Sequence, residues 1–426
     1  MNLLQGTDRP RPRPRAEAGE SAPGAVVSAP LPRWWWVWPL AIYFVNRAVN
    51  AVMMLQASGV QMSITAFLDL GARYFVTQSG EATSPFWSLV SNWDGQWYWE
   101  IAAHGYPYEL PRDNFGQVEQ SPWAFFPLYP YLVRGVMYVT HLDFPPASMA
   151  VSLVAGAVAM LLLYRLVVRY TDHLGARLAV LGLSTFVVAP VFQIAYTEGL
   201  ALALVLGVLL SVSRERWLLT ASLLPLLGLT RGVVAAVAAL FVVLAVAMWL
   251  RERRLTTKIL PLVALAMWSA LLTFLWPVIA AVVTGRPNAY VETQRAWFSE
   301  VTTIPVIRFI ARNAPSMGSE LVAWVVAVVW MLLLVWLVTL RQPNPLLRKW
   351  SAIYVIYLLA VTDWNWSNVR YFLLALPVLW PLTRPDSGTP RQRVMVAAVL
   401  AFVGVASQWW YIRYCITITP ELVQVP

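Results

Sequence analysis

After Pro32 the chain is a succession of apolar runs separated by short polar stretches. A hydrocarbon core about 30 Å thick is crossed by roughly 17 to 25 helical residues. Runs at 34–55, 145–168, 177–195, 199–212, 217–230, 232–250, 258–283, 320–340, 350–362, 370–383 and 392–412 therefore predict about eleven transmembrane helices. They must be helical, because lipid offers no partner to an unpaired peptide N–H. Several are short, so they should tilt little or be partly buried by neighbours. Trp123–His141 is as apolar as a span, but Pro127, Pro130, its aromatics and Arg134 suit a helix lying in the membrane interface.

The polar stretches supply an orientation. Residues 1–32 are Pro/Arg-rich and then small and polar, which predicts a disordered basic tail on the cytoplasmic side. Residues 33–426 form one polytopic membrane domain. "QASG" after the first run is a weak match to a cleavage site, so that run is read as a retained span. With the tail inside, most basic residues of the short loops also fall inside, among them Arg165, Arg169, Arg214, Arg216, Arg251, Arg253 and Arg348. Counting Trp123–His141 as a span would turn the later basic loops outward. The expected topology has a cytoplasmic N-terminus and two large extracytoplasmic loops, 56–144 and 284–318, the first carrying interfacial helices.

Composition narrows the function classes. With 59% apolar and 12% charged residues and 23 tryptophans, the chain is no ordinary soluble domain. Its net charge of +10 does not point to nucleic acid, since the basic residues sit mostly at the ends of apolar runs, against the bilayer. Cys415 is the one cysteine, which excludes an internal disulfide. His104, His141 and His173 lie far apart and make no metal-ligand pattern, so no metal ligand is assigned. Two similar halves, the mark of many secondary transporters, are not evident.

Candidate chemistry gathers on the expected outer face. "SNWDGQWYWEIAAHGYP" (91–107) places Asp94 before a helical stretch ended by Gly105 and Pro107. Asp94 reads two ways, as a helix N-cap or as a general base. Trp93, Trp97 and Trp99 suit an interfacial belt or stacking on a sugar or an isoprenoid chain. Trp97, Glu100, Ile101 and His104 share one helix face. Three short outer turns hold "AYTEG" (195–199), "LTRG" (229–232) and "TDWNWSNVRY" (362–371), and the second large loop holds "PNAYVETQRAWF" (287–298). Glu198 and Arg231 can be each other's salt-bridge partner or line a cavity. Arg370 suits a snorkelling arginine or a planar fork for a phosphate. Arg47, inside the first span, requires a polar partner within the bundle.

"NWDGQWYWEIAAHGY", "FFPLYPYLVR", "AYTEGL", "GLTRG", "TQRAW" and "SNVRYFLLALP", in this order from about Phe86 to Pro377, together resemble the PIG-V-like mannosyltransferases. The resemblance implies an all-α integral membrane protein with a GT-C glycosyltransferase-like bundle and an extracytoplasmic active site. It implies an enzyme that moves mannose, with inversion, from a polyprenyl-phosphate-mannose donor to a glycolipid or cell-envelope glycan acceptor. Asp94 matches the acidic residue of the family's first-loop motif, its usual catalytic base. The expected substrate-binding residues are Trp93, Trp97, Tyr98, Glu100, Tyr129, Tyr196, Glu198, Arg231, Gln294, Trp297, Arg370 and Tyr371. The basic tail departs from the family pattern, and no D-x-D motif is present, so no cofactor is assigned and divalent-metal dependence stays open. The tail, the missing disulfides and the compact loops suggest a bacterial plasma membrane. The competing readings are a transporter or flippase of a lipid-linked saccharide, and a GT-C enzyme for another sugar or a protein acceptor.

Overall fold

The computed structural model describes residues 31–63, 84–253, 257–297, 317–362, 367–378 and 380–419, with 307, 310 and 313–315. The expected basic tail lies outside the described residues apart from 31 and 32, as do parts of both large loops. Among the described residues the chain is helical and contains no strand beyond an isolated bridge between Arg112 and Val118. It is an all-helical membrane protein. Six stretches are long and apolar enough to cross a bilayer: Val37–Ser58, Phe144–Val167, Val234–Glu252, Leu260–Thr284, Glu320–Thr339 and Pro390–Ile416. These coincide with six of the runs read from the sequence. Trp123–His141 becomes a short 3-10 turn, Pro122–Ala124, and a helix, Leu128–Thr140.

The remaining expected spans are shorter or interrupted. Glu198–Val212, Trp217–Gly228 and Pro345–Val361 are short helices. The run 177–195 is not one helix: His173–Ser184 stops, and a 3-10 turn at Ala189–Gln193 follows. The run 370–383 breaks at Leu376, which has φ 59° and precedes Pro377, a residue that disfavours helix in its predecessor. Both breaks lie against protein, where their backbone groups find partners.

The first break shows how. Ser184 O accepts from Arg47 Nη2 (3.1 Å) and from Gln408 Nε2 (3.0 Å), and Phe186 O from Gln408 Nε2 (2.9 Å). Arg47 Nη1 donates to Ala189 O, and the guanidinium lies over the rings of Tyr43 and Phe192. Asn46 and Asn50 hold Gln408 Oε1 at 3.2 and 2.8 Å. The partner demanded by the buried arginine is thus the backbone of a broken helix, the arrangement that irregular chain at membrane depth requires. At the second break, Trp350 Nε1 donates to Leu374 O (2.9 Å) and Tyr354 Oη to Tyr371 O (3.2 Å).

Small residues bring the central pair of helices, Phe144–Val167 and Glu198–Val212, close together. A Cβ added to Gly199 would lie 3.2 Å from Ser152 O and 3.3 Å from Gly156 N. Gly156 is filled from its other side, where an added Cβ would collide with the Tyr43 hydroxyl. Packing through small side chains lets apolar helices approach where no hydrophobic force separates lipid from protein. It fixes the start of the Glu198–Val212 helix, where Glu198 stands.

Candidate active site

Asp94 opens the helix Asp94–His104, and its position is set by what precedes it. Trp93 adopts φ 56° and ψ −115°, a conformation that a non-glycine residue holds only when its surroundings impose it. Its indole donates to Ile416 O (3.0 Å), and Asn92 Nδ2 to the same carbonyl (2.9 Å). Ala195 N donates to Val90 O (2.9 Å), and Gly95 sits so near that a Cβ there would lie 3.2 Å from Ala195 Cβ. The first-loop turn is therefore clamped between the "AYTEG" turn and the C-terminal segment. At the other helix end Arg134 donates to Ala102 O and Ala103 O, satisfying terminal carbonyls.

The N-cap position belongs to Trp93, and no side-chain cap is made. The Asp94 carboxylate instead points to Arg370, with Oδ2 2.6 Å from Nη1. Arg370 Nε lies 3.1 Å from Glu198 Oε1, and that oxygen lies 2.7 Å from Arg231 Nη1. Residues from four separate motifs thus form one chain, Asp94–Arg370–Glu198–Arg231, with balanced formal charge. Tyr371 lies against both cations, 4.4 Å from Arg231 and 4.9 Å from Arg370, and Tyr196 lies 4.5 Å from Arg370. Arg370 Nη2 also donates to the Tyr371 hydroxyl (3.1 Å).

Burial grades along this chain. Glu198 and Arg370 are 1% and 2% exposed, whereas Arg231 and Asp94 are 18% and 23% exposed, so the two ends are reachable. The contacts at Glu198 are close enough for ion pairing, yet Glu198 Oε1, Arg231 Nη1 and Arg370 Nε have no aligned hydrogen-bond partner among the described residues. A buried charge so held costs several kcal/mol unless its remaining hydrogen bonds are made. The arrangement offers two cationic donors to an anion and, at the more open end, a carboxylate.

An aromatic cluster stands beside it. Trp97 stacks on Phe125 (5.8 Å between centroids) and meets Trp297 edge-on (5.5 Å). Tyr98 packs against Phe125 and Tyr129, and its hydroxyl reaches Thr197 Oγ1 (3.4 Å), next to Glu198. Tyr129 is wholly buried, with its hydroxyl on Ser148 O (3.1 Å) and Ser152 Oγ (2.8 Å), so it braces the cluster from beneath. Gln294 Nε2 donates to Ala124 O (3.2 Å), tying the Ala289–Arg295 helix to the turn that carries Phe125.

Of the residues expected to bind substrate, Tyr196, Glu198, Arg231, Arg370 and Tyr371 meet at Asp94, and Trp97, Tyr98, Tyr129, Gln294 and Trp297 form the adjoining wall. Trp93 faces the C-terminal segment, and Glu100 pairs with His104 (3.3 Å) away from the charge chain. Tyr354 and Tyr411 were not singled out in the sequence. Tyr354 braces the Tyr371 carbonyl, and the buried Tyr411 hydroxyl has no hydrogen-bond partner among the described residues. Nothing in "QWWYIRY" marks Tyr411 from its neighbours. Among the described residues no three His, Cys, Asp or Glu converge as a metal site.

No family model matches the chain. No curated protein matches it. Among solved structures the chain is similar to the crystal structure of the Archaeoglobus fulgidus oligosaccharyltransferase in complex with zinc and sulfate, at 13% identity and a TM-score of 0.43. The match covers 86% of this chain and 52% of that one, so the chain spans about half the length of the structure it matches.

Proposed function

We propose that the protein is a GT-C-type glycosyltransferase that moves a mannosyl residue from a polyprenyl-phosphate donor to a glycolipid or cell-envelope glycan. The active site faces the extracytoplasmic side of a bacterial plasma membrane, where a lipid-borne donor is presented. The observation that carries this reading is the ion-pair chain Asp94–Arg370–Glu198–Arg231, built from four of the motifs that resemble the PIG-V-like enzymes, in which each member lies within 3.1 Å of the next.

The chemistry that follows is a single displacement. The acceptor hydroxyl attacks the anomeric carbon, Asp94 takes its proton, and the bond from that carbon to the phosphate oxygen breaks, releasing polyprenyl phosphate. The leaving phosphate gains negative charge, which Arg370 and Arg231 offset through donors that Glu198 does not align with. Glu198 bridges the two arginines and orients them. Trp97 and Trp297 supply apolar surface for a sugar face or the first isoprene units.

The test supplies membranes containing the protein with radiolabelled polyprenyl-phosphate mannose and follows the label. Transfer into an extractable glycolipid or glycan supports the reading. Movement of intact labelled donor across the bilayer with no sugar transferred would establish a flippase instead.

A further inference from the structure

The helices Leu128–Thr140, Phe144–Val167, Glu198–Val212 and Trp217–Gly228 flank an open cleft of about 650 Å³. Its walls are aliphatic, with Val154, Val158, Leu204 and Leu223 among them. It follows the Glu198–Val212 helix from Leu200 to Ser211, about 16 Å at the helical rise. At the Ser211 end the lining changes to Arg214 and Arg216.

Those two arginines are not alone. Burial, and then the like charges of Arg165, Arg169 and Arg216, push the Arg214 guanidinium below its ordinary value. Arg169 Nη2 donates to Ser213 O (3.2 Å), which holds it against the same turn, and Arg165 lies over the Trp35 ring. Arg165 Nε and Arg169 Nε are buried without hydrogen-bond partners among the described residues. No carboxylate of the described residues makes an ion pair with any of the four; the adjacent Glu215 is exposed. Four cations with no acid paired to them among the described residues, at the end of an aliphatic channel, are complementary to an anionic headgroup that carries an apolar chain.

We propose that this cleft is a binding site for an anionic phospholipid, with its phosphate on the cluster of Arg165, Arg169, Arg214 and Arg216 and an acyl chain along the Glu198–Val212 helix. Basic pockets between membrane helices recognise such headgroups. The chain would lie against the helix that begins with Glu198, so occupancy braces the helix on which the arginine–carboxylate chain depends. The binding itself does not rest on the proposed transfer reaction.

The test measures binding of phosphatidylglycerol and of phosphatidylcholine to the purified full chain by native mass spectrometry. Arg214→Gln with Arg216→Gln should weaken phosphatidylglycerol by about tenfold or more and leave phosphatidylcholine little changed. Val158→Trp, on a cleft wall that is 42% exposed, fills the channel without entering the core and should weaken phosphatidylglycerol while the arginines remain. Unaltered phosphatidylglycerol binding in either variant overturns the proposal. Binding of inorganic phosphate as tightly as phosphatidylglycerol also overturns it, since that result describes an anion site without a role for the chain.

Discussion

Two buried arginine–carboxylate assemblies in this protein are built from the same chemistry and finished differently. Arg393 makes a bidentate pair with Asp172 (2.8 and 2.9 Å) and spends its other donors on Leu382 O (3.0 Å) and Thr383 O (3.1 Å). Asp172 also caps the following helix by accepting from Gly175 N (2.6 Å). Every group is used, and the assembly closes the joint between two helices and the turn at residue 383. In the Asp94 assembly two arginines share one Glu198 oxygen, and Arg231 Nη1 and Arg370 Nε are left without an aligned partner among the described residues. A finished pair locks a fold, whereas an unfinished one retains capacity for a ligand.

The sharpest way to break this comparison is to neutralise both carboxylates. Asp94→Asn keeps nearly the same shape and, under the proposed reaction, removes the base. Transfer should fall by about 10² to 10⁴-fold in a protein that still folds and binds donor. Asp172→Asn should leave transfer per folded molecule unchanged. Near-normal transfer by a well-expressed Asp94→Asn protein would move the base elsewhere, with Glu198 next in line.

The arginines give the second contrast. Arg370→Lys retains charge but loses the planar fork that spans Asp94, Glu198 and Tyr371, so transfer should drop by about 10- to 100-fold, with a smaller change in thermal stability. Unchanged turnover of the lipid donor would remove Arg370 from phosphate recognition. Arg393→Ala should do the opposite, lowering stability by about 2 kcal/mol, a value discounted because Asp172 is partly exposed, while activity per folded molecule holds.

The smallest effect is one of pH. Burial by itself would raise the Asp172 carboxyl, but the Arg393 hydrogen bonds and the Gly175 N–H outweigh it and hold the group below its ordinary value of 3.8. A carboxyl lowered on folding contributes stability that is fully present above the unfolded value and lost as pH falls through the folded one. Melting temperatures taken from pH 6 downward should therefore decline below about pH 4 in the parent. The decline should be shallower in Asp172→Asn, and identical slopes would remove Asp172 from the acid response.

Much of the helical framework is legible in the linear pattern. Six apolar runs become continuous helices because a bilayer-length apolar stretch has one way to satisfy its own backbone. The aromatic segment around Pro127 and Pro130 emerges as a turn and a helix, since proline at those positions is tolerated only near helix starts. The polar turns that interrupt the runs hold the residues that later meet, because polar groups near a membrane core are retained where something pays for them.

Who pairs with whom was decided only in three dimensions. Spacing allowed Asp94 to cap its own helix, but Trp93 occupies that place and the carboxylate turns to an arginine 276 residues away. Glu198 and Arg231 do pair, as their positions allowed, yet Glu198 is shared with Arg370. Arg47 finds no acid among the described residues; it donates to Asn46 Oδ1 and to carbonyls freed where 177–195 breaks, a break that apolar content alone does not reveal. Hydrophobic periodicity reports how deeply a residue is buried, through its transfer from water. Partnership depends on distances of a few ångströms between distant segments, and the close packing through Gly95, Gly156 and Gly199 sets those distances.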